Sequence, residues 1–238
     1  MDINSSILGQ KMSGIVAVII SFLLIMSSMA FNSRADNINP IVYSIDSKPY
    51  GVSYGEWTAK WEQWLISMPQ SLNAATDSTG KNCAQNQNGP VWFLAGTAGG
   101  SAERTCTIPA GKAILFPITN SECSYAENPN IKPGSDLTAC AKQDTNRATN
   151  LQATVDGHSL QQLDKYRLTS PPFNVTFAPN NLFGAPNGPT QGVADGFWVF
   201  LQQLASGNHE VHFSSFTPSS SPGGAPFVID VTYHLIVR

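Results

Sequence analysis

Charge is scarce in this chain: Asp, Glu, Lys and Arg supply only 12% of its 238 residues. Lys and Arg gather nowhere, and the formal net charge is -3. Without a basic stripe there is no counterion-releasing surface for nucleic acid, so that partner class is excluded. Also missing are a C-x-x-C pair, an H-E-x-x-H helix, a G-x-S-x-G elbow, a Walker loop and a dinucleotide fingerprint, which removes the corresponding metal, hydrolase and nucleotide templates. Gly96-Thr97-Ala98-Gly99-Gly100-Ser101 has no Lys after it and reads as a hairpin loop. No internal repeat is found. What the chain does have is 42% hydrophobic residues with 19 Gly and 16 Pro, the composition of a turn-rich globular protein.

One long apolar run stands at the front. Lys11 precedes a charge-free stretch from Met12 to Ser33, and Ser33-Arg34-Ala35 places small residues where a signal peptidase reads them, with Ser28-Met29-Ala30 as an alternative. Residues 1–35 are therefore expected to be a signal peptide or an N-terminal anchor, and 36–238 a single disulfide-bonded domain. About 20 apolar residues also suffice to span a bilayer, so membrane contact is expected only through residues 12–33 and only if they are kept. Either outcome puts the domain outside the cytoplasm, secreted or at the cell surface. No cysteine follows the run to carry a lipid.

Cys83, Cys106, Cys123 and Cys140 all lie beyond the signal. In an oxidising compartment an even set implies two disulfides. Three connectivities are open. Cys83–Cys106 and Cys123–Cys140 close the short local loops and are favoured for that reason.

Ser53-Tyr54-Gly55-Glu56 has the S-x-x-E form of a capping box and predicts a helix start. At about 100° per residue, Trp57, Trp61, Trp64 and Met68 then fall on one stripe, with Tyr54 and Leu65 at its margin and Glu56, Lys60 and Gln63 turned away. Pro69 helps to end the helix.

Beyond it the apolar period changes to that of strands. Pro90–Gly96 reads as a buried strand, and Arg104–Ile118 as a strand, a Pro-Ala-Gly-Lys turn and a second strand forming a hairpin. Asp156-Gly157 within Leu151–Leu160 is a strong hairpin signal. Further strands lie in YRLTSPPFNVTF, GFWVFLQQL, HEVHF and VIDVTYHLIV. In the last, Ile229, Val231, Tyr233, Leu235 and Val237 alternate with Asp230, Thr232 and His234, so one sheet face is polar. Asn120–Asn150, Phe183–Gly192 and Thr217–Pro226 read as loops. The expected fold is mainly β, an antiparallel sandwich or jelly roll with one N-terminal amphipathic helix packed on it.

The segments SYGEWTAKW, NGPVWFLAG, TCTIPAGKAILFPI, NSECS, DGFWVFLQQLASGNHEVHF and DVTYHLIV, spread from Ser53 to Val237, resemble a family of uncharacterised exported microbial proteins. That resemblance spans nearly all of the mature chain and implies a shared single-domain fold, with no activity or catalytic residue to transfer. The Ile-Pro-Ala-Gly turn is also similar to cupin barrels, yet Lys112-Ala113-Ile114 follows it where cupins place metal-binding histidines.

Three places could carry function. Trp57, Trp61 and Trp64 are either the glue between helix and sheet or an aromatic platform for sugar rings, and the second reading needs an open groove. Glu210 and His212 share a strand face, while His209 and His212 point oppositely. If that strand pairs antiparallel with the last, His212 falls near Asp230 and Glu210 near Thr232, with His234 farther along, a patch that could bind zinc or shuttle protons. As the rival to that patch stands a solvated sheet face. Glu103, Glu122, Glu127, Asp195 and Glu210 could meet in space as paired carboxylates, although their spacing shows no pair. Asn174-Val175-Thr176 is a glycosylation sequon that matters only in a glycosylating host. The expectation is an exported, non-enzymatic binding or envelope protein without a cofactor, a glycan or an envelope component being the partner considered. The alternative is an extracytoplasmic hydrolase or metal-dependent enzyme using the C-terminal His/Asp/Glu patch.

Overall fold

The computed structural model describes Asn39 and residues 41–238. The apolar run and both cleavage positions lie outside the described residues. Among the described residues, no helix is long and apolar enough to cross a membrane.

Helix α1 (Tyr54–Ile66) begins as its capping box dictates: the Ser53 hydroxyl accepts from the Glu56 amide, and the Glu56 carboxylate accepts from the Ser53 amide at 2.9 Å. Ten strands follow: β1 (Val91–Phe93), β2 (Gly100–Ile108), β3 (Ala113–Ser124), β4 (Thr149–Val155), β5 (His158–Ser159), β6 (Arg167–Thr169), β7 (Phe173–Phe177), β8 (Gly188–Leu201), β9 (Gly207–Thr217) and β10 (Phe227–Val237). One sheet has the order β1-β3-β8-β6, with β7 also paired to β8, and the other β2-β10-β9-β4-β5. The sandwich expected from sequence is the fold observed. Two pairs within it, β1 with β3 and β2 with β10, run parallel.

The two sheets differ in how many faces they bury, and their sequences show it. Phe116, Val199 and Ile114 of the first sheet meet Phe213, Val231 and Leu235 of the second in the inter-sheet core; the Phe116 and Phe213 rings stack at 4.8 Å. The opposite face of the first sheet is covered by α1, whose Trp57, Trp61 and Trp64 pack on Leu115, Trp198 and Phe200. Buried on both faces, β3 and β8 carry unbroken apolar runs. The outer face of the second sheet is wet, and β9 and β10 alternate. Helix, sheet and sheet thus form three layers.

That layering corrects two expected hairpins. β2 and β3 belong to different sheets, so Pro109-Ala110-Gly111-Lys112 crosses between layers, as does Gly96–Ser101 between β1 and β2. Turn chemistry is the same in both settings; what separates the strands is that β2 has one wet face and β3 none. The Asp156-Gly157 hairpin is present, both residues at positive φ (51° and 76°). Asn120–Asn150 is not all loop. β3 continues to Ser124, and a helix α2 (Thr138–Thr145) docks beside it. Leu137 at its N-cap offers no capping side chain, the Asp136 carboxylate accepting from the Thr138 amide instead, and Cys140 within it is bonded to Cys123 of β3. Its stability is tertiary, which hides it from local sequence signals. Likewise β8 already begins at Gly188, inside the loop expected over Phe183–Gly192. The second disulfide joins Cys83 to Cys106, so both bridges follow the favoured connectivity.

Candidate functional site

The tryptophans are core. Trp57, Trp61 and Trp64 are 6%, 1% and 5% exposed, and their indole N–H groups donate to the carbonyls of Pro49, Leu94 and Gln85 at 2.8–2.9 Å. All three rings cover the sheet beneath them, and Trp61 also borders a cavity described below.

The C-terminal patch forms on the wet face of the second sheet, two residues out of the expected register. His212 lies opposite Thr232 and Glu210 opposite His234. His212 reaches Asp230 diagonally, Nε2 to Oδ1 at 2.9 Å. His234 pairs through Nε2 with Glu103 at 2.8 Å and faces Glu210 at 3.7 Å. The four candidates therefore share one face but split into separate pairs. Among the described residues, no three His, Cys, Asp or Glu side chains are placed to hold a metal ion. An open depression of about 470 Å³ beside them is lined by Asp156, His209, Glu210 and His234, but His209 is bonded to Asp156 at 2.8 Å and His234 is paired as above. It is a solvated sheet surface of satisfied pairs. Asp195, 1% exposed, stands apart, held by Arg167, Thr145 and Thr169.

The remaining acids converge at a cavity of about 340 Å³ between α1, the end of β3 and the start of β10. Its apolar walls include Trp61, Leu65, Leu182, Phe183, Phe227 and Ile229, and its polar groups include Glu62, Asn120, Glu122 and Glu127. Asn120 and Glu122 are two apart on β3 and so face the same way, toward α1. Asn120 Nδ2 donates to Glu62 Oε1 at 2.7 Å. Glu127 is fixed by a turn in which the Ser124 hydroxyl donates to its Oε2 at 3.0 Å. Both oxygens of Glu122 are shielded from solvent without a hydrogen bond. Gly192 of β8 leaves room for this carboxyl, since a Cβ there would lie 2.6 Å from Glu122 Oε1.

Glu62, 1% exposed, is the residue that sequence reading missed. Burial pushes it up to about 8, against the Asn120 hydrogen bond that favours the ionised form, with Glu127 adding to the rise. Burial, then the close approach and charge of the Glu127 carboxyl and the charge of Glu62, hold Glu122 well above the usual carboxylate range, against a smaller lowering by the Ser124 hydroxyl. The cavity thus presents carboxyl groups that are neutral near pH 7 and can donate hydrogen bonds.

This has a consequence for stability. The unfolded chain ionises Glu62 near 4.5, whereas the folded chain keeps that proton to about 8. Stability therefore falls as pH rises across that window, and no penalty exists below it. Glu62→Gln, which cannot ionise, is expected to stabilise the fold at pH 7 by about 3 kcal/mol, a rise in Tm of about 5–10 °C. At pH 4 it should change little. Thermal unfolding at the two pH values checks this; equal shifts at both would contradict it.

No protein-family model and no curated protein matches the chain. Among solved structures, a cysteine protease inhibitor, EhICP2, from Entamoeba histolytica aligns at TM-score 0.24 and 11% identity, over 61% of this chain and 94% of that one. The solution structure of Amebosin aligns at TM-score 0.19 and 12% identity, over 63% and 100%. Neither score is high enough to transfer a function.

Proposed function

We propose that the protein is exported and acts as a non-enzymatic binding protein, with its ligand seated in the cavity beneath α1. The observation that carries this reading is the pairing of apolar walls with carboxyls whose hydrogen-bonding capacity is only partly used, the usual make-up of a small-molecule site. Two disulfides in a domain of this size suit an oxidising compartment, in keeping with the apolar N-terminal run and with the resemblance to exported microbial proteins. The polar part of the cavity lining consists of carboxyl, amide and hydroxyl groups.

Ala98 is exposed at the cavity, so Ala98→Trp should obstruct the site without entering the core. Thermal-shift screening of glycans, amines, alcohols and carboxylic acids should find compounds that raise the Tm of the wild type but not of Ala98→Trp. Shifts that survive the substitution, or none at all, would contradict the reading. One observation favours a second reading: a buried glutamic acid still protonated near neutrality has the form of a general acid. A hydrolase panel run alongside separates the two, because turnover abolished by Glu62→Gln would establish the enzyme.

A further inference from the structure

We propose that the cavity takes an organic cation, a primary or secondary ammonium on an apolar body, with its N–H groups directed at Glu62 and Glu122 and Glu127 flanking them. This rests on the binding reading above. Three carboxyl groups meet in one cavity whose lining includes no basic side chain. Arg104, the buried cation behind the Ala75 and Gly96 walls, is engaged by the carbonyls of Ala75, Asp77, Ala95 and Gly96 and by the Tyr233 hydroxyl. It neutralises none of the three.

Acceptor capacity is left over where a ligand would sit. Glu62 is 1% exposed and lines the cavity; its Oε1 is taken by Asn120, while Oε2 takes no hydrogen bond among the described residues. Both Glu122 oxygens are shielded from solvent and make no well-formed hydrogen bond, although the Glu127 carboxyl and the Ser124 hydroxyl lie beside them. An ammonium offers three donors and no acceptor, which matches those free oxygens. A hard metal ion fits less well, since it needs about six or more oxygens around it, and the described residues form no metal-holding group. An anion would find no basic side chain in the lining to offset its charge. The walls of Trp61, Leu65, Phe183 and Phe227 suit an apolar body, and aromatic rings also attract cations at their faces.

Binding is coupled to a proton. The ammonium keeps its own protons, and a neutral glutamic acid of the cavity gives its proton to the buffer, so that a carboxylate–ammonium pair replaces a carboxylic acid. The groups facing Glu62 are Asn120 from β3, and Glu122 and Glu127 beside it; none can take up the charge in place of the ligand.

Isothermal titration of the disulfide-intact protein at pH 7, in two buffers of different ionisation enthalpy, tests this with 2-phenylethylamine, 2-phenylethanol and phenylacetate as probes. The amine is expected to bind at least about tenfold tighter than the alcohol, to release protons, and to tighten as pH rises from 6 to 8, while phenylacetate does not bind. Glu62→Gln and, separately, the half-exposed Glu127→Gln should each weaken the amine and leave the alcohol unchanged. An alcohol or glycan that binds as tightly as the amine, with binding lost in Ala98→Trp, would overturn the cation while leaving the cavity as a binding site. Failure of the amine together with every screened compound would overturn both.

Discussion

Replacing Trp61 by Ala is expected to cost about 3–5 kcal/mol of stability. The side chain is 1% exposed, its ring sits edge-on to Trp198 at 5.3 Å, and its N–H satisfies the Leu94 carbonyl. Truncation would leave a cavity between helix and sheet and an unpaired buried acceptor, two penalties that add. Denaturant unfolding followed by circular dichroism measures the loss. An unchanged midpoint would mean that α1 is not fastened by its indoles, and the three-layer description would fail.

Arg104 carries the second large effect. It is 1% exposed on β2, where strand alternation alone predicts an apolar residue. Its guanidinium instead ties β2 to chain outside its sheet, the carbonyls of Asp77 and Ala75 after α1 and those of Ala95 and Gly96 after β1, and also meets the hydroxyl of Tyr233, its register partner on β10. Arg104→Leu fills similar volume but leaves the Ala75, Asp77 and Gly96 carbonyls without this donor, the Ala95 carbonyl keeping the Tyr233 hydroxyl, so a loss of about 3–5 kcal/mol is expected. Arg104→Lys, with a single ammonium in place of a planar fork, should recover only part of it. Full stability in Arg104→Leu would show that the acceptors find other donors. Because Gly96 also walls the carboxyl cavity, the same variant should weaken any ligand seated there.

Much of this was legible from residue order. The Ser53/Glu56 box places the start of α1, the Trp57, Trp61, Trp64 and Met68 stripe identifies its buried side, and the alternation of β10 marks a sheet with a wet face. These signals are local, set by hydrogen bonds within one turn or by the period of one element. The assignment of β2 and β3 to different sheets was not legible, since it depends on which layer must cover which. The helix α2 was hidden for a similar reason, its position resting on a disulfide and on packing against β3 and β8.

The candidate site was only half visible. Glu122 and Glu127 were among the acids considered, but Glu62 was not, because the indole stripe makes that side of α1 look complete. The buried arc is in fact wider. Ala59 and Ile66, a turn before and a turn after Glu62, pack on Phe173, Val175 and Phe177 of β7. A carboxylate between two buried arcs of one helix is a signal that becomes readable only when both walls are known.

The central claim is that this cavity keeps carboxyl groups protonated at neutral pH. The most direct measurement is a pH titration of the glutamate side-chain carboxyl resonances by carbon-13 NMR, with Glu62→Gln and Glu122→Gln used for assignment. Two resonances are predicted to titrate above neutrality, that of Glu62 at about 8 and that of Glu122 higher. Titration of every glutamate near the ordinary value of about 4.3 would contradict the account.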